Sequence, residues 1–312
     1  MTIYVSGSIA YDRIMNFPDK FNNHILPDKL HILNVCFLVN DLQEKFGGTA
    51  GNIAYSLALL QERPEVLASV GNDFGRYEQW FRELGIKLDC IVKIEDVPTA
   101  SAYITTDEAD NQITAFNPGA MAYPTHHYIQ NLDTQGSLAI VAPGNLEDMQ
   151  VYPSKYREWG IPYIFDPGQN IPAFSGEQLR EMISGSSALI ANDYELSLIL
   201  QSTGLSQEAL LEMTGLTVTT LGEAGARIEK NDGTDFRISA AQIESPKDPT
   251  GAGDAFRAGF IKGLIQNRTL KEAAQMGATS ASFCVECFGT QAHSFTLGQF
   301  WDRYEASFGP IV

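Results

Sequence analysis

The strongest constraint on the fold is a rhythm. Short apolar runs at residues 3–5, 65–70, 138–142, 163–165, 188–191 and 216–220 are separated by stretches with helical patterns. Alternation of this kind argues for βαβ units and a largely parallel sheet flanked by helices. Two segments, about 13–45 and about 99–118, break the rhythm with short alternating patterns such as Ala102-Tyr103-Ile104-Thr105-Thr106. They suit a small β-sheet lid better than crossover helices. No repeat, low-complexity tract or linker divides the 312 residues, so a single α/β domain over 1–312 is expected.

The hydrophobic share is 44% and the charged share 19%, with no apolar run long enough to cross a bilayer. The amino terminus reads as a strand entering a turn rather than a signal peptide, which predicts a cytoplasmic protein. A formal net charge of -17 opposes binding to nucleic acid or anionic membranes. Any phosphate must therefore be held locally. Cys36, Cys90, Cys284 and Cys287 are too scattered for a disulfide framework. The Cys284/Cys287 spacing lacks a second ligand pair and reads as small residues in an Ala/Ser-rich helix, and His126-His127 reads as a solvated helix start.

Asp248-Pro249-Thr250-Gly251-Ala252-Gly253-Asp254 is a glycine loop running into a helix that continues towards Ile265. Unpaired amides and the positive end of the helix dipole would converge there, which suits a phosphate or a developing phosphoryl charge. Asp254 could accept a proton from an attacking hydroxyl. It could equally be a cap on an ordinary turn. Gly251-Ala252-Gly253 opens a GxGxxG, but Phe256 occupies the third glycine position and the preceding segment is a poor strand, so a dinucleotide dehydrogenase ranks low. No Walker GxxxxGK[ST] occurs.

Asn192 and Glu195 follow the run at 188–191, at the carboxyl end of an expected strand. Glu195 could order hydrated Mg²⁺ while Asn192 meets a nucleotide phosphate; alternatively the two form a capping box. Thr220, Gly222 and Gly225 end a β-rich run and could line an adenine-nucleotide site or form a tight turn. Gly47-Gly48 and Asn52 precede an apolar helix, and Asp12 follows the first strand. Glycines permitting close backbone approach, an amide and a carboxylate together suit a sugar diol.

In this order the motifs resemble the ribokinase or PfkB family of carbohydrate and nucleoside kinases over nearly the whole chain. Further stretches, among them Gly7–Asp12, Gly47–Ala54, Phe116–Met121, Asp166–Gln169 and Asp248–Phe260, resemble bacterial adenosine kinases. The resemblance implies a ribokinase-like fold and an ATP-dependent, Mg²⁺-assisted transfer to the 5′-hydroxyl of adenosine. Another nucleoside, or a sugar such as ribose or fructose, is the alternative acceptor. A non-catalytic nucleoside-binding protein is the alternative from a different class. By resemblance, Ser8, Asp12, Gly48 and Asn52 hold the ribose. Tyr103 and Phe116 enclose the base, and Gln169 and Asn170 add polar contacts. Asn192, Glu195, Thr220, Gly222 and Gly225 line the ATP site. Asp254 is the base, with the Gly251, Ala252 and Gly253 amides on the transferring group. Asp248 and Thr250, near Cys284 and Gly289, fall where relatives take a monovalent cation such as K⁺. A lid edge rich in β-formers suggests a homodimer.

Overall fold

The computed structural model describes residues 1–25, 27–32, 34–109, 111–128 and 132–311. Its strands are β1 (Ile3–Ser6), β2 (Ala10–Asn16), β3 (Leu42–Gly47), β4 (Glu65–Val70), β5 (Ile91–Lys93), β6 (Ala100–Thr106), β7 (Gln112–Asn117), β8 (Leu138–Val141), β9 (Tyr163–Phe165), β10 (Ala188–Asn192), β11 (Leu216–Thr220), β12 (Ala226–Lys230) and β13 (Asp235–Ile238). Its α-helices are α1 (Thr49–Leu59), α2 (Gly75–Glu83), α3 (Leu146–Trp159), α4 (Gly176–Ile183), α5 (Asp193–Thr203), α6 (Gln207–Thr214), α7 (Ala252–Ile265), α8 (Leu270–Val285) and α9 (Leu297–Phe308).

The main sheet has nine strands in the order β13-β12-β11-β10-β9-β8-β1-β4-β5. Pairing is parallel from β11 through to β5, and antiparallel where β12 and β13 extend the far edge. This is the ribokinase-like α/β architecture. The chain leaves β1 for β4 on one side and later returns to β8 on the other, so the order reverses at β1. Open sheets bind ligands in the crevice that such a reversal leaves at the strands' carboxyl ends. One apolar core packs α1, α2, α7 and α8 against the sheet, and a second packs α3, α4 and α5 against its other face.

Helix starts follow local chemistry. Asn145 caps α3, and Ser175, Asn192, Thr269 and Thr296 each close a capping box. The β12 and β13 hairpin, around Asn231-Asp232-Gly233, was not anticipated from the apolar pattern.

The second sheet, β3-β2-β6-β7, is the lid. Two antiparallel pairs, β2 with β3 and β6 with β7, join along a parallel β2–β6 contact. Its register sorts side chains by face. Asp12 lies opposite Lys45 and Ala102, and Ala102 opposite Phe116. One residue along, Arg13 lies opposite Glu44 and Tyr103. Side chains in adjacent rows point to opposite faces, so Asp12 and Phe116 share one face and Arg13 and Tyr103 the other. Among the described residues, no helix is long and apolar enough to cross a membrane.

Candidate active site

A cavity of about 660 Å³ opens between the lid and the carboxyl ends of the main sheet. Successive strands each deliver a lining residue just past their end: Ser8 after β1, Gly144 after β8, Asp166 after β9, Asn192 at β10 and Thr220 at β11. From the lid come Asp12 and Phe116, and from the helix side Gly48, Asn52 and the loop Pro249 to Asp254. The cavity is large enough for two small ligands end to end.

Asp254 stands in the first turn of α7. Gly251 precedes that helix at φ +83, in the left-handed region that glycine tolerates, and a Cβ there would press on Thr290. The Asp254 carboxylate opens onto the cavity but has protein on its other sides. Loss of water raises its pKa from 3.8 to about 7, against the pull of the Arg257 guanidinium and of a hydrogen bond from Asn52. Asn52 Nδ2 donates that bond to Asp254 Oδ2 at 2.8 Å. Gln291 Nε2 donates to Asn52 Oδ1 at 3.1 Å, fixing the amide's orientation. A carboxylate tuned near neutrality at a helix start can take a proton from a hydroxyl and sits where negative charge on a transferring group would be stabilised.

The other expected residues divide. Gly48 caps α1 at φ +88, and a Cβ there would meet the backbone of Ser8 and Ala10 at 2.6 Å. Ser8 Oγ accepts the Thr49 amide at 3.0 Å, so it also holds the start of α1. Asn52 is placed against Asp254. Asp12 lines the lid side of the cavity, and burial raises its carboxyl to about 6, opposed by Lys45. Gln169 is exposed on the lining, while the Asn170 amide already donates to the Gly144 carbonyl at 3.1 Å. Asn192 and Glu195 form the capping box and still line the cavity. Gly222 and Thr220 line it too.

Four expectations need correcting. Tyr103 is on the outer face of the lid, where its hydroxyl accepts from Arg13 Nη1 at 2.6 Å, because the strand period puts it opposite to Phe116. Gly225 lies off the lining; its φ of +92 and the close approach of the Ile238 carbonyl explain the glycine structurally. The Ala252 amide donates to Pro249 O at 3.1 Å, leaving Gly251 and Gly253 as the candidate anion donors of the loop. His126 is not a solvated helix start but a buried ring bonded to Asp148.

Asp248 braces the loop. Its oxygens accept the Thr250 and Gly289 amides at 2.9 and 3.0 Å, and Cys284 Sγ donates to Thr250 O at 3.4 Å. Burial works to raise the Asp248 carboxyl, yet these bonds hold it below its ordinary range.

Sequence reasoning assigned no role to Asp166 or Arg257. Asp166 is 1% exposed, and Arg257 Nη2 donates to its Oδ1 at 2.6 Å. Burial raises Asp166 and Arg257 opposes it. An arginine inside the apolar stretch after the glycine loop was the available signal. The lining bears four carboxylates, Asp12, Asp166, Glu195 and Asp254, against one guanidinium, Arg257. A polyphosphate would meet a field of its own sign. That donor set fits a divalent cation.

The model of the pfkB family of carbohydrate kinases matches residues 19–296. The chain belongs to that family. This pfkB-family kinase is 30% identical over 303 residues to a nucleoside kinase of Methanocaldococcus jannaschii, an alignment covering 96% of this chain and 95% of that one. It superposes on Burkholderia thailandensis nucleoside kinase in complex with inosine with a TM-score of 0.87 at 35% identity, covering 99% of each chain. The same enzyme in complex with ADP-inosine gives a TM-score of 0.85 at 36% identity, covering 99% of this chain and 97% of that one. The kinase is thus a phosphotransferase with an alcohol acceptor.

Proposed function

We propose that the protein is an ATP-dependent nucleoside kinase that phosphorylates the 5′-hydroxyl of a purine nucleoside, with adenosine as its acceptor. One observation carries the reading: Asp12 and Phe116 on the lid face and Asp254 at the start of α7 line a single cavity. A carboxylate beside an aromatic face suits a ribose diol and a purine ring, and a second carboxylate at a helix start suits the reacting hydroxyl. Identities of 30% and 35% to two nucleoside kinases, against 26% to a Bacillus subtilis ribokinase, support the same acceptor class.

In this reading Asp254 takes the 5′-hydroxyl proton as the oxygen attacks the γ-phosphorus of ATP. The Gly251 and Gly253 amides stabilise charge on the group in transit. Asn52 aims Asp254, and Arg257, held by Asp166, adds the one fixed positive charge on the lining. A bound Mg²⁺, ordered from Glu195 through water, would neutralise the triphosphate. The lid would exclude water and limit ATP hydrolysis.

Inosine is the second reading for the acceptor, favoured by the Burkholderia thailandensis nucleoside kinase, whose structure holds it. Gln169 offers both a donor and an acceptor and can turn its amide to either base. An ADP-release assay over adenosine, inosine, cytidine, ribose and fructose decides. Highest kcat/KM with adenosine is expected, and preference for a free sugar would sink the nucleoside reading. In parallel, Asp254→Asn should bind nucleoside and lose about 10³-fold or more in turnover; near wild-type turnover would remove Asp254 from its role.

A further inference from the structure

A cluster remote from the phosphate loop carries chemistry that phosphoryl transfer does not use. His126 and His127 lie on the connection between β7 and β8, and Glu147 and Asp148 lie in the first turn of α3. His126 Nε2 stands 3.3 Å from Glu147 Oε1, and His127 Nε2 stands 3.6 Å from the same oxygen. One ligand atom from each of the three residues falls within 4.8 Å of the other two. The His126 ring is 8% exposed, and its Nδ1 is 2.8 Å from Asp148 Oδ1. Asp148 is itself fixed by the amides of Thr125 and His126 and by the Thr125 hydroxyl. With Nδ1–H donated to Asp148, His126 presents the Nε2 lone pair towards Glu147 and His127. A carboxylate behind an imidazole in this way sets its tautomer and strengthens it as a metal ligand.

We propose that His126 Nε2, His127 Nε2 and a Glu147 carboxylate oxygen form a binding site for a divalent transition-metal ion, best filled by Zn²⁺, with Asp148 as the orienting residue. Two imidazoles and one carboxylate suit a borderline ion that accepts nitrogen, and not Mg²⁺, which prefers an octahedron of oxygens. Around a tetrahedral ion with bonds of about 2.1 Å, ligand atoms stand roughly 3.4 Å apart. The separations of 3.3 and 3.6 Å to Glu147 already match that spacing. The two imidazoles each offer a nitrogen within 4.8 Å of the other, and the exposed His127 side chain can turn to meet that spacing. The ion takes the place of the proton that would otherwise let His126 Nε2 donate to Glu147, and a water completes the fourth position. Bound there, it would pin the segment leaving the lid to the start of α3.

The test is zinc titration of the full chain by calorimetry, in a Cys36→Ser background so that the exposed thiol does not compete. His127→Ala, Glu147→Gln and Asp148→Asn are compared in the same background. One Zn²⁺ per chain is expected, weakened by about tenfold or more in each variant, with no comparable uptake of Mg²⁺. Kinase turnover of metal-free His127→Ala should equal that of the parent. Asp148 is buried, so should its variant fail to fold, the exposed His127 and Glu147 still decide the matter. Zinc uptake unchanged in His127→Ala and Glu147→Gln overturns the proposal, as does no uptake at about a hundred micromolar; either would leave the cluster as an ion pair alone.

Discussion

Removing the Asn52 amide should move the acid limb of the pH–rate profile. Asn52 Nδ2 lies 2.8 Å from Asp254 Oδ2 and is one of the two influences that hold the carboxyl down to about 7 against burial. A hydrogen bond to an ionised group is worth about 1.5–3 kcal/mol. Arg257 remains in Asn52→Ala and the cavity admits water, so the lower bound is the better guide. One pKa unit corresponds to about 1.4 kcal/mol, which puts Asp254 near 8 in the variant. A base works only when deprotonated. At pH 7 its ionised fraction would then fall from roughly a half to roughly a tenth, a loss of about fivefold in kcat/KM that disappears above about pH 9. The assay is kcat/KM for the nucleoside from pH 5.5 to 9.5 at saturating ATP in parent and variant. Titration of the donor phosphates is common to both enzymes, so the displacement between curves isolates Asp254. An acid limb that stays in place, or a loss independent of pH, would refute the assignment of Asn52 as the group that tunes the base.

Phe116→Ala should raise KM for a purine nucleoside by about five- to tenfold with little change in kcat, since a stacking contact is worth about 1 kcal/mol; steady-state kinetics check it. Arg257→Met leaves the buried Asp166 carboxylate unpaired and should cost about 3–5 kcal/mol in urea unfolding, whereas the double variant with Asp166→Asn should recover part of that loss. Asp254→Asn should be more stable than the parent at pH 8. The native carboxyl, raised to about 7 from 3.8, carries a penalty that is absent below about pH 4, grows as pH rises from 4 to 7 and is complete above about 7. After allowance for its opening onto the cavity, the gain should be roughly 1–3 kcal/mol, visible as a higher Tm at pH 8 and absent at pH 4.

The main sheet was legible because strands buried on both faces have to be apolar, and 65–70, 163–165 and 216–220 coincide with β4, β9 and β11. The edge hairpin of β12 and β13 was not, since alternating strands such as Ala226–Lys230 mix charge with apolar residues. Asn231-Asp232-Gly233 was the turn signal that could have revealed it. Asp254 and the glycine loop declare themselves through local chemistry at a helix start. Tyr103 misled because an aromatic near Phe116 in space says nothing of face, and only the register of β6 with β2 and β7 decides that. The pairing of Asp166 with Arg257 spans 91 positions and follows from tertiary packing alone. Asn192 and Glu195 were read in two ways, and both describe the same residues: the capping box that starts α5 also fixes an amide and a carboxylate on the cavity wall.

The acidic lining has a consequence for ionic strength. On the proposed reading, a neutral nucleoside entering past Asp12 experiences no net Coulomb force, whereas a nucleotide approaching Asp166, Glu195 and Asp254 does. Added salt shortens the reach of that repulsion from about 30 Å at 10 mM to about 8 Å at physiological strength. The two substrates of one cavity should therefore part company as salt is raised: capture of the nucleotide quickens while capture of the nucleoside stays level.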